Sequence, residues 1–378
     1  MSYRKLLFSL SLISALSCNI CCGCRDNSTG RIPGGGDPGI RDIITEVASD
    51  DRIVGMGAGI VTVEGDPAVA VCGYNRAGSG IPVRVTDLWH IGSCTKAMTA
   101  TLAARAVKDG SLRWNSTLAE LFPEISGRLG PVKGGITLEQ LLSHRSGLPY
   151  DPGPDLLSLL LRGPREQREA VLRQVPGTRL ESAPGKEYHY SNFGYSLAGL
   201  MIEKVEEGEF EDIMHQRLFE PLGMEGTRFE GEVDFDEERI IWPHHPDGTP
   251  VSRWKRPLND YPAICPAGCV RCSLRDWARF IRSHLVGEEG GAGYLSADSY
   301  RQLHRSRGDN YALGWVVLER DWGGGAVLQH AGSNGWNYSV VWIAPNRGFA
   351  VFVCANQGDC YESLDRVAGR LIELLSGN

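Results

Sequence analysis

The chain has 378 residues, of which 42% are hydrophobic and 22% charged, so its composition excludes a low-complexity or wholly disordered protein. It supplies enough apolar residues for one large or two smaller cores. The formal net charge is −7 and there is no long basic run, which argues against nucleic-acid binding because phosphate contacts need clustered Lys and Arg side chains. We therefore expect a small molecule or a peptide as the partner.

The N-terminal segment, residues 1–24, has the pattern of an export signal. Arg4 and Lys5 precede an apolar stretch at 6–16, which is too short to span a membrane as a helix. Where a bacterial lipoprotein would carry its lipidated residue, the sequence has Cys18, Cys21, Cys22 and Cys24. The residues before them match a lipobox incompletely, so a lipid anchor and plain secretion both remain open. Either alternative predicts an exported protein of the periplasm or cell envelope.

Residues 25–42 are predicted to form a flexible tether, because they are polar and rich in Gly and Pro. Gly34-x-Gly36-x-x-Gly39 within this segment matches the dinucleotide-binding fingerprint as a string. No strand is predicted before it, however, and Pro38 stands where the helix of such a motif would have to begin. The motif is therefore interpreted as part of the tether, and no cofactor is expected.

Predicted strands open the rest of the chain, helices fill its middle, and strands return near its end. Residues 53–63 and 68–74 flank a turn and predict a β-hairpin. Helices are predicted at 96–108, 138–144, 166–174, 196–206, 210–218 and 274–285 from apolar residues at helical spacing and from stop signals. Later strands are predicted at 312–318, 326–329, 338–343 and 349–354, followed by a closing helix at 363–375.

This order predicts an α+β fold in which early and late strands share one antiparallel sheet and the helical middle forms a second lobe. We expect a single domain at residues 43–378. Its sheet lobe would comprise about 43–92 and 295–378, and its all-helical lobe about 93–294.

Seven cysteines lie beyond the N-terminal segment: Cys72, Cys94, Cys265, Cys269, Cys272, Cys354 and Cys360. An odd number cannot all pair within the chain, so we expect at least one free thiol. Export permits disulfides, and the local candidates are Cys354 with Cys360 and Cys269 with Cys272, while the connectivity remains open.

The Cys269-x-x-Cys272 spacing also has a metal-site interpretation, with His244 and His245 as further ligands. Neither a second Cys pair nor an ordered His spacing completes a set of four ligands. We therefore expect no metal.

The first motif with catalytic potential is Ser93-Cys94-Thr95-Lys96, at the start of a predicted helix. A spacing of three places Ser93 and Lys96 on one helical face, whereas Cys94 lies about 100° around the helix and is expected to be buried and inert. The helix N-terminus favours a developing negative charge, and a desolvated Lys can act as the base toward the Ser hydroxyl. Taken alone, the pattern is also that of a helix-capping Ser with a solvated Lys.

A second motif, Tyr190-Ser191-Asn192, leads into another predicted helix. A Tyr beside a nucleophile can relay a proton to the leaving group, and an Asn amide can orient the substrate carbonyl and the Lys. The alternative is an Asn helix cap beside a core Tyr. Further along, the residues around Ser196 resemble a nucleophile-elbow motif but contain one residue too many, so we reject Ser196 as the nucleophile.

The third motif is His330-Ala331-Gly332 at the end of a predicted strand, followed by Ser333. Small residues here would let a substrate lie beside the strand edge, and the backbone N–H of Ser333 can be an oxyanion donor. The alternative is a packed His at a strand end.

In their order and context, the three motifs resemble the serine β-lactamase and penicillin-binding-protein superfamily, in the branch of class C β-lactamases, D-alanyl-D-alanine carboxypeptidases and related esterases. Further matching stretches lie at residues 88–92, 141–149, 221–224 and 266–268, and the resemblance covers roughly residues 43–375. It implies an antiparallel sheet with flanking terminal helices plus an all-helical lobe, with the active site between them.

The resemblance also implies the roles of the site residues. Ser93 would be the nucleophile, Lys96 its general base and Tyr190 the proton relay. The backbone N–H groups of Ser93 and Ser333 would form the oxyanion hole. Substrate-binding positions would be Asn192, His330, Gly332 and Ser333, and further residues that are candidates for lining the cleft are Tyr150, Asp151, Trp254 and Trp336.

Two departures from this superfamily stand out. His330 replaces the Lys that usually begins the third motif in β-lactamases, and with an ordinary pKa of about 6.5 it would be neutral near pH 8 and charged toward pH 6. If His330 does not supply the positive charge for a substrate carboxylate, Arg271 or Arg253 would have to bind it. The stretch 269–272 is expected to be stiffened by a disulfide or altered in specificity.

These features predict a serine hydrolase that forms an acyl-enzyme with esters or D-amino-acid peptides, with β-lactams as secondary substrates. The alternative is a catalytically silent protein of the same fold with a binding or assembly role at the cell envelope.

Overall fold

The structure, a computed structural model, describes residues 32–152, 163–234, 240–252 and 260–376, and its central feature is an antiparallel sheet of seven strands. These strands are β1 (Gly34–Gly36), β2 (Gly55–Thr62), β3 (Ala68–Gly73), β7 (Val316–Arg320), β8 (Gly325–Ser333), β9 (Tyr338–Ala344) and β10 (Phe349–Ala355). A small second sheet contains β4 (Trp89–His90), β5 (Arg228–Phe229) and β6 (Val270–Cys272).

The α-helices in the described part of the chain are α1 (Pro38–Asp51), α2 (Thr95–Asp109), α3 (Leu118–Leu121), α4 (Pro123–Gly134), α5 (Leu138–Leu142), α6 (Pro164–Gln174), α7 (Asn192–Glu206), α8 (Phe210–Met214), α9 (Cys265–Gly268), α10 (Leu274–Leu285), α11 (Ala297–His304) and α12 (Tyr361–Ser376). Short 3-10 turns include Gly92–Cys94 and Pro262–Ile264, and a π-helical turn, His215–Phe219, follows α8. No helix in the ranges that the structure describes is both long enough and apolar enough to cross a membrane.

The seven strands lie in the order β1-β3-β2-β10-β9-β8-β7, so β10 is paired on one side with β2 and on the other with β9. Alternate residues of β10 face different cores, as the two-residue period of a strand requires. Val351 packs with Ile44 of α1 and Leu371 of α12, whereas the ring of Phe352 lies 5.0 Å from that of Trp277 in α10. The predicted α+β fold, with early and late strands in one antiparallel sheet beneath terminal helices, is confirmed.

The predicted tether is wrong over residues 34–42, while residues 25–31 lie outside the described part of the chain. β1 pairs with β3, and α1 begins at Pro38 with the Asp37 side chain accepting a hydrogen bond from the Ile40 N–H at 3.0 Å. Proline is well tolerated in the first turn of a helix because its missing N–H would have no partner there. Pro38 therefore starts the helix that it was expected to prevent.

Two further elements differ from the sequence prediction. The strand expected at 312–318 begins only at Val316, because residues 312–315 form a turn in which Gly314 has a φ of 80°. The range 93–294, expected to be all helical, also contains β5 and β6, which are too short to show an alternating pattern.

A buried ion pair fastens α6 to α7 and to the segment after it. The Arg168 guanidinium, with none of its side chain exposed, donates to Glu203 at 2.7 Å and to both carboxylate oxygens of Glu211 at 2.8 and 2.9 Å. A third acceptor is the carbonyl oxygen of Pro262, at 2.8 Å. Removing one member of such a network leaves an uncompensated charge in the interior.

Arg168→Met is therefore expected to lower the free energy of unfolding by about 3–5 kcal/mol. The matched control is Arg173→Met in the same helix, whose side chain is 46% exposed beside Glu169, so its loss should cost less than about 1 kcal/mol. Urea denaturation of both variants measures the difference. Equal losses would show that the Arg168 network contributes no more than a surface pair.

Candidate active site

The Ser93 hydroxyl and the Lys96 amine meet at the start of α2. Ser93 lies half-buried in the 3-10 turn that precedes the helix, and Lys96 is fully buried one turn further on. Their Oγ and Nζ atoms are 3.1 Å apart. The structure thus brings together the two groups of the first motif, and the solvated Lys of the alternative interpretation is excluded.

Three oxygens surround the Lys96 amine. Besides Ser93 Oγ, these are the side-chain Oδ1 of Asn192 at 2.7 Å and the backbone oxygen of Ala267 at 2.8 Å. An ammonium can donate to all three, whereas a neutral amine has two N–H groups and one lone pair. The amide and carbonyl oxygens can only accept, so Ser93 is the one partner of the three that can donate to the lone pair. In the neutral state, the site therefore directs the Ser93 proton toward Nζ.

The environment of Lys96 makes this neutral state accessible. Burial lowers the pKa of the Lys96 amine from 10.5 to about 7, and the nearby Asp151, Cys94 and Cys269 oppose the shift. The rings of Tyr190 and Tyr195 lie 4.7 and 5.3 Å from Nζ. A substantial fraction of the amine is thus unprotonated near neutral pH.

Tyr190 lies beside the Ser93 hydroxyl and hydrogen-bonds to it. Burial raises the pKa of the Tyr190 phenol well above 10, so the group keeps its proton at neutral pH. Its ring packs 4.2 Å from the ring of His144 and 5.7 Å from that of the exposed Tyr150. The second motif therefore contacts the first. Asn192 accepts a hydrogen bond from the Lys96 amine, and Tyr190 hydrogen-bonds with the Ser93 hydroxyl.

The end of β8 lies directly against the turn that carries Ser93. A Cβ atom on Gly332 would be 2.0 Å from the Ile91 oxygen and 2.8 Å from the Ser93 nitrogen. A Cβ atom on Gly92, whose φ is 50°, would be 2.5 Å from the Ser333 nitrogen. Only glycines permit this approach, in which the Ser93 nitrogen lies next to Gly332 and the Ser333 nitrogen next to Gly92.

His330 does not have the ordinary pKa that was expected of it. It is 3% exposed, its Nε2 lies 3.1 Å from the Tyr311 hydroxyl, and its Nδ1 is 2.8 Å from the Ala331 oxygen. Burial and the nearby Lys96 lower the pKa of His330 to about 3. The expectation that it gains a charge toward pH 6 is wrong, because the sequence does not show that the imidazole is desolvated.

The expected disulfides are absent from the described residues, where all seven cysteines are buried free thiols. Cys269 hydrogen-bonds with Cys265 rather than bonding to Cys272, and Cys354 and Cys360 donate to the backbone oxygens of Gly57 and Gln357. Cys94 is 2% exposed, as predicted, and burial raises the pKa of its thiol to about 12.

Arg271 is not available as a carboxylate-binding group. Its buried guanidinium pairs with Glu230 and donates to the Ile241 oxygen, while Arg253 and the cleft candidate Trp254 lie outside the described residues. His244, considered as a metal ligand, is engaged at both ring nitrogens by backbone groups of Ala77 and Asn356. Among residues 32–152, 163–234, 240–252 and 260–376, no group of three or more His, Cys, Asp or Glu side chains is arranged to hold a metal.

A buried carboxylate that sequence reasoning missed connects the two sides of the site. Asp260 lies 3.1 Å from His90 Nε2, and His90 Nδ1 accepts from the Gly92 N–H at 3.1 Å. The other Asp260 oxygen accepts from the Asn334 amide at 2.7 Å. Asp260 thereby links the residue before Ser93 to the residue after Ser333. These partners are 170 and 74 positions away in sequence, and no local pattern signals them.

Asp260→Ala should leave the His90 N–H and the Asn334 amide without their acceptor and lower the free energy of unfolding by about 1–3 kcal/mol for each group left unpaired. Asn334→Ala removes one of these groups, so the double variant should lose less than the sum of the single losses, with a coupling above about 0.5 kcal/mol. Urea denaturation of the four proteins in this cycle measures the coupling. Strict additivity would contradict the link.

The chain is similar to known proteins. A family model described as Beta-lactamase matches residues 40–373. Penicillin-binding protein 4 of Amycolatopsis lactamdurans is 26% identical, over 79% of this chain and 80% of the relative. The D-alanyl-D-alanine-carboxypeptidase/endopeptidase AmpH of Escherichia coli strain K12 is 23% identical, over 90% of this chain and 91% of the relative.

Solved structures share the fold. The octameric penicillin-binding protein homologue from Pyrococcus abyssi has a TM-score of 0.74 and 24% identity, covering 90% of this chain and 77% of its own. D-alanine carboxypeptidase AmpC from Burkholderia cenocepacia has a TM-score of 0.72 and 23% identity, covering 89% of this chain and 99% of its own. Since the family model matches most of its length, this chain belongs to the Beta-lactamase family.

Proposed function

We propose that this protein is a serine hydrolase in which Ser93 forms an acyl-enzyme. Membership of the Beta-lactamase family, and relatives named as a penicillin-binding protein and a carboxypeptidase/endopeptidase, support a function of the serine hydrolase type. The observation that carries the proposal is the set of three oxygens around Lys96, of which only Ser93 Oγ can give a proton to the neutral amine.

In the first half of the reaction, neutral Lys96 takes the Ser93 proton as Oγ attacks the acyl carbonyl. The carbonyl oxygen gains negative charge and accepts hydrogen bonds from the backbone N–H groups of Ser93 and Ser333. Tyr190 passes a proton to the leaving group and recovers one from Lys96, so the bond to the leaving group breaks and the acyl group stays on Ser93. In the second half, water attacks the ester, its proton returns through the same groups, and Ser93 regains its hydroxyl.

We propose esters and D-amino-acid peptides as the substrate class, with β-lactams secondary. His330 is neutral and both of its ring nitrogens are engaged within the protein, so it offers no positive charge to a substrate carboxylate. Gly332 lets the end of β8 approach the Ser93 nitrogen, and Asn192 is joined to Ser93 through the Lys96 amine, which lies 2.7 Å from Asn192 Oδ1 and 3.1 Å from Ser93 Oγ. The missing positive charge favours neutral esters over substrates that carry a carboxylate beside the scissile bond.

The competing function is a catalytically silent binding or assembly role at the cell envelope. Such a role requires no base next to a serine, yet Ser93, Lys96 and Tyr190 are in mutual contact. This contact favours the enzyme. Export, and the choice between a lipid anchor and plain secretion, remain proposals that rest on residues 1–24, which lie outside the described part of the chain.

Covalent labelling tests the nucleophile. A fluorophosphonate or a fluorescent penicillin should attach to the wild-type protein, and peptide mass spectrometry should place the adduct on Ser93. Ser93→Ala should abolish labelling and hydrolysis of short-chain esters, whereas Ser196→Ala, a buried serine of α7, should keep both. An adduct on Cys94, or labelling that survives in Ser93→Ala, would refute the assignment.

The pH dependence tests the base. Because attack requires neutral Lys96, kcat/KM for a neutral ester should fall as the pH drops below about 7, by roughly tenfold for each further unit. Lys96→Ala should reduce kcat by more than about tenfold. His330→Gln should leave the midpoint of the acid limb in place, because His330 has a pKa of about 3 and is neutral throughout this range. A midpoint that disappears in His330→Gln would identify His330 as the titrating group instead.

A further inference from the structure

A chain of hydrogen bonds leads from the rim of the site to the Ser93 hydroxyl. The Asp151 carboxylate accepts from the Asn192 amide nitrogen at 2.9 Å, and the Asn192 amide oxygen accepts from Lys96 at 2.7 Å. Lys96 reaches Ser93 at 3.1 Å. The orientation of the Asn192 amide follows from its neighbours, because an ionised carboxylate can only accept and an ammonium can only donate.

The backbone holds Asp151 at this place. The oxygen of Tyr150, the preceding residue, accepts from the backbone N–H of Asn192 at 2.7 Å, and the Pro149 oxygen accepts from the Ser191 hydroxyl at 2.7 Å. Residues 149–151 are thus fixed to the N-terminus of α7, which carries Asn192. The contact between Asp151 and Asn192 is therefore part of the local fold, although Asp151 itself lies at the exposed rim.

We propose that Asp151 is a positioning residue for the base, acting on Ser93 through Asn192 and Lys96 and supplying the negative charge that the buried Lys96 faces. The inference rests on the proposed function. Asp151 lies outside the three motifs. From the sequence, it was predicted only as a candidate for lining the cleft.

Asp151 is the one carboxylate among the groups found to act on Lys96 in the described part of the chain. Burial raises the pKa values of the thiols and phenols and lowers those of the imidazoles, so all of these other groups are uncharged near neutral pH. They belong to the turn before α2, to α7 and the segment before it, to the segments after α5 and α9, and to β8: Cys94, Cys269, Tyr190, Tyr195, His144 and His330.

The sign of the effect follows from this arrangement. A negative charge near Lys96 stabilises its ammonium and opposes the downward shift that burial imposes on its pKa. Removing that charge should lower the pKa of Lys96 further and move the acid limb of the pH profile to lower pH. Asp151→Asn is the informative change, because its amide oxygen still accepts from Asn192 while the charge is lost. Asp151→Ala removes the charge and the acceptor together.

The experiment measures kcat/KM between pH 5 and 9 with a neutral p-nitrophenyl ester, so that Asp151 does not attract or repel the substrate directly. Asp151→Asn should move the acid midpoint down by roughly half to one pH unit, and Asp151→Glu should keep it near that of the wild type. Asp151→Ala should show the same direction of shift with a lower plateau, since Asn192 loses its anchor. The control is Asp298→Asn, an exposed acid in the first turn of α11, which should leave the profile unchanged.

A midpoint that stays at the wild-type pH in Asp151→Asn, or rises, would overturn the proposal. So would a shift of equal size in Asp298→Asn. Fluorophosphonate labelling of Ser93 in each variant separates this result from a failure of the proposed function. Labelling that is present and depends on Ser93, with an unmoved midpoint, refutes only the role of Asp151, whereas labelling absent from the wild type refutes the hydrolase itself.

Discussion

The burial of one amine is the constraint on which the rest of the site depends. Lys96 has no exposed surface, and an ammonium there is tolerated only because three oxygens accept from it. Each oxygen comes from a different part of the chain, namely the turn before α2, the start of α7 and the segment α9. A single side chain therefore joins α2, α7 and α9 by hydrogen bonds.

The large sheet also borders the site, through the backbone at the end of β8 and through the Ser339 hydroxyl of β9, which donates to the Ile91 oxygen at 2.7 Å. β8 ends against the Ser93 turn at a distance that excludes even a methyl group on Gly332. Asp260 stabilises the same region by hydrogen-bonding with His90 and Asn334. The positions of the backbone N–H groups near Ser93 thus depend on the sheet, while the charge and protonation of Lys96 depend on the helices.

The parts of this arrangement that are determined by local interactions could be predicted from the sequence. The relation of Ser93 to Lys96 follows from helical spacing, and the central strands and α10 follow from their apolar periods. Long-range contacts had no such signal. Asp260 finds its partners far along the chain, and the neutrality of His330 is a result of burial, which only the assembled fold reveals.

The pairing of β10 between β2 and β9 has a consequence for how the protein is made. β2 ends at Thr62 and β10 begins at Phe349, so nearly the whole chain must be synthesised before the middle of the sheet can close. Contacts this distant in sequence form slowly and leave strand edges exposed until they do. A ribosome-bound chain therefore carries Ser93 and Lys96 well before it has β8, and the arrangement around Ser93 can be completed only after that strand has been synthesised.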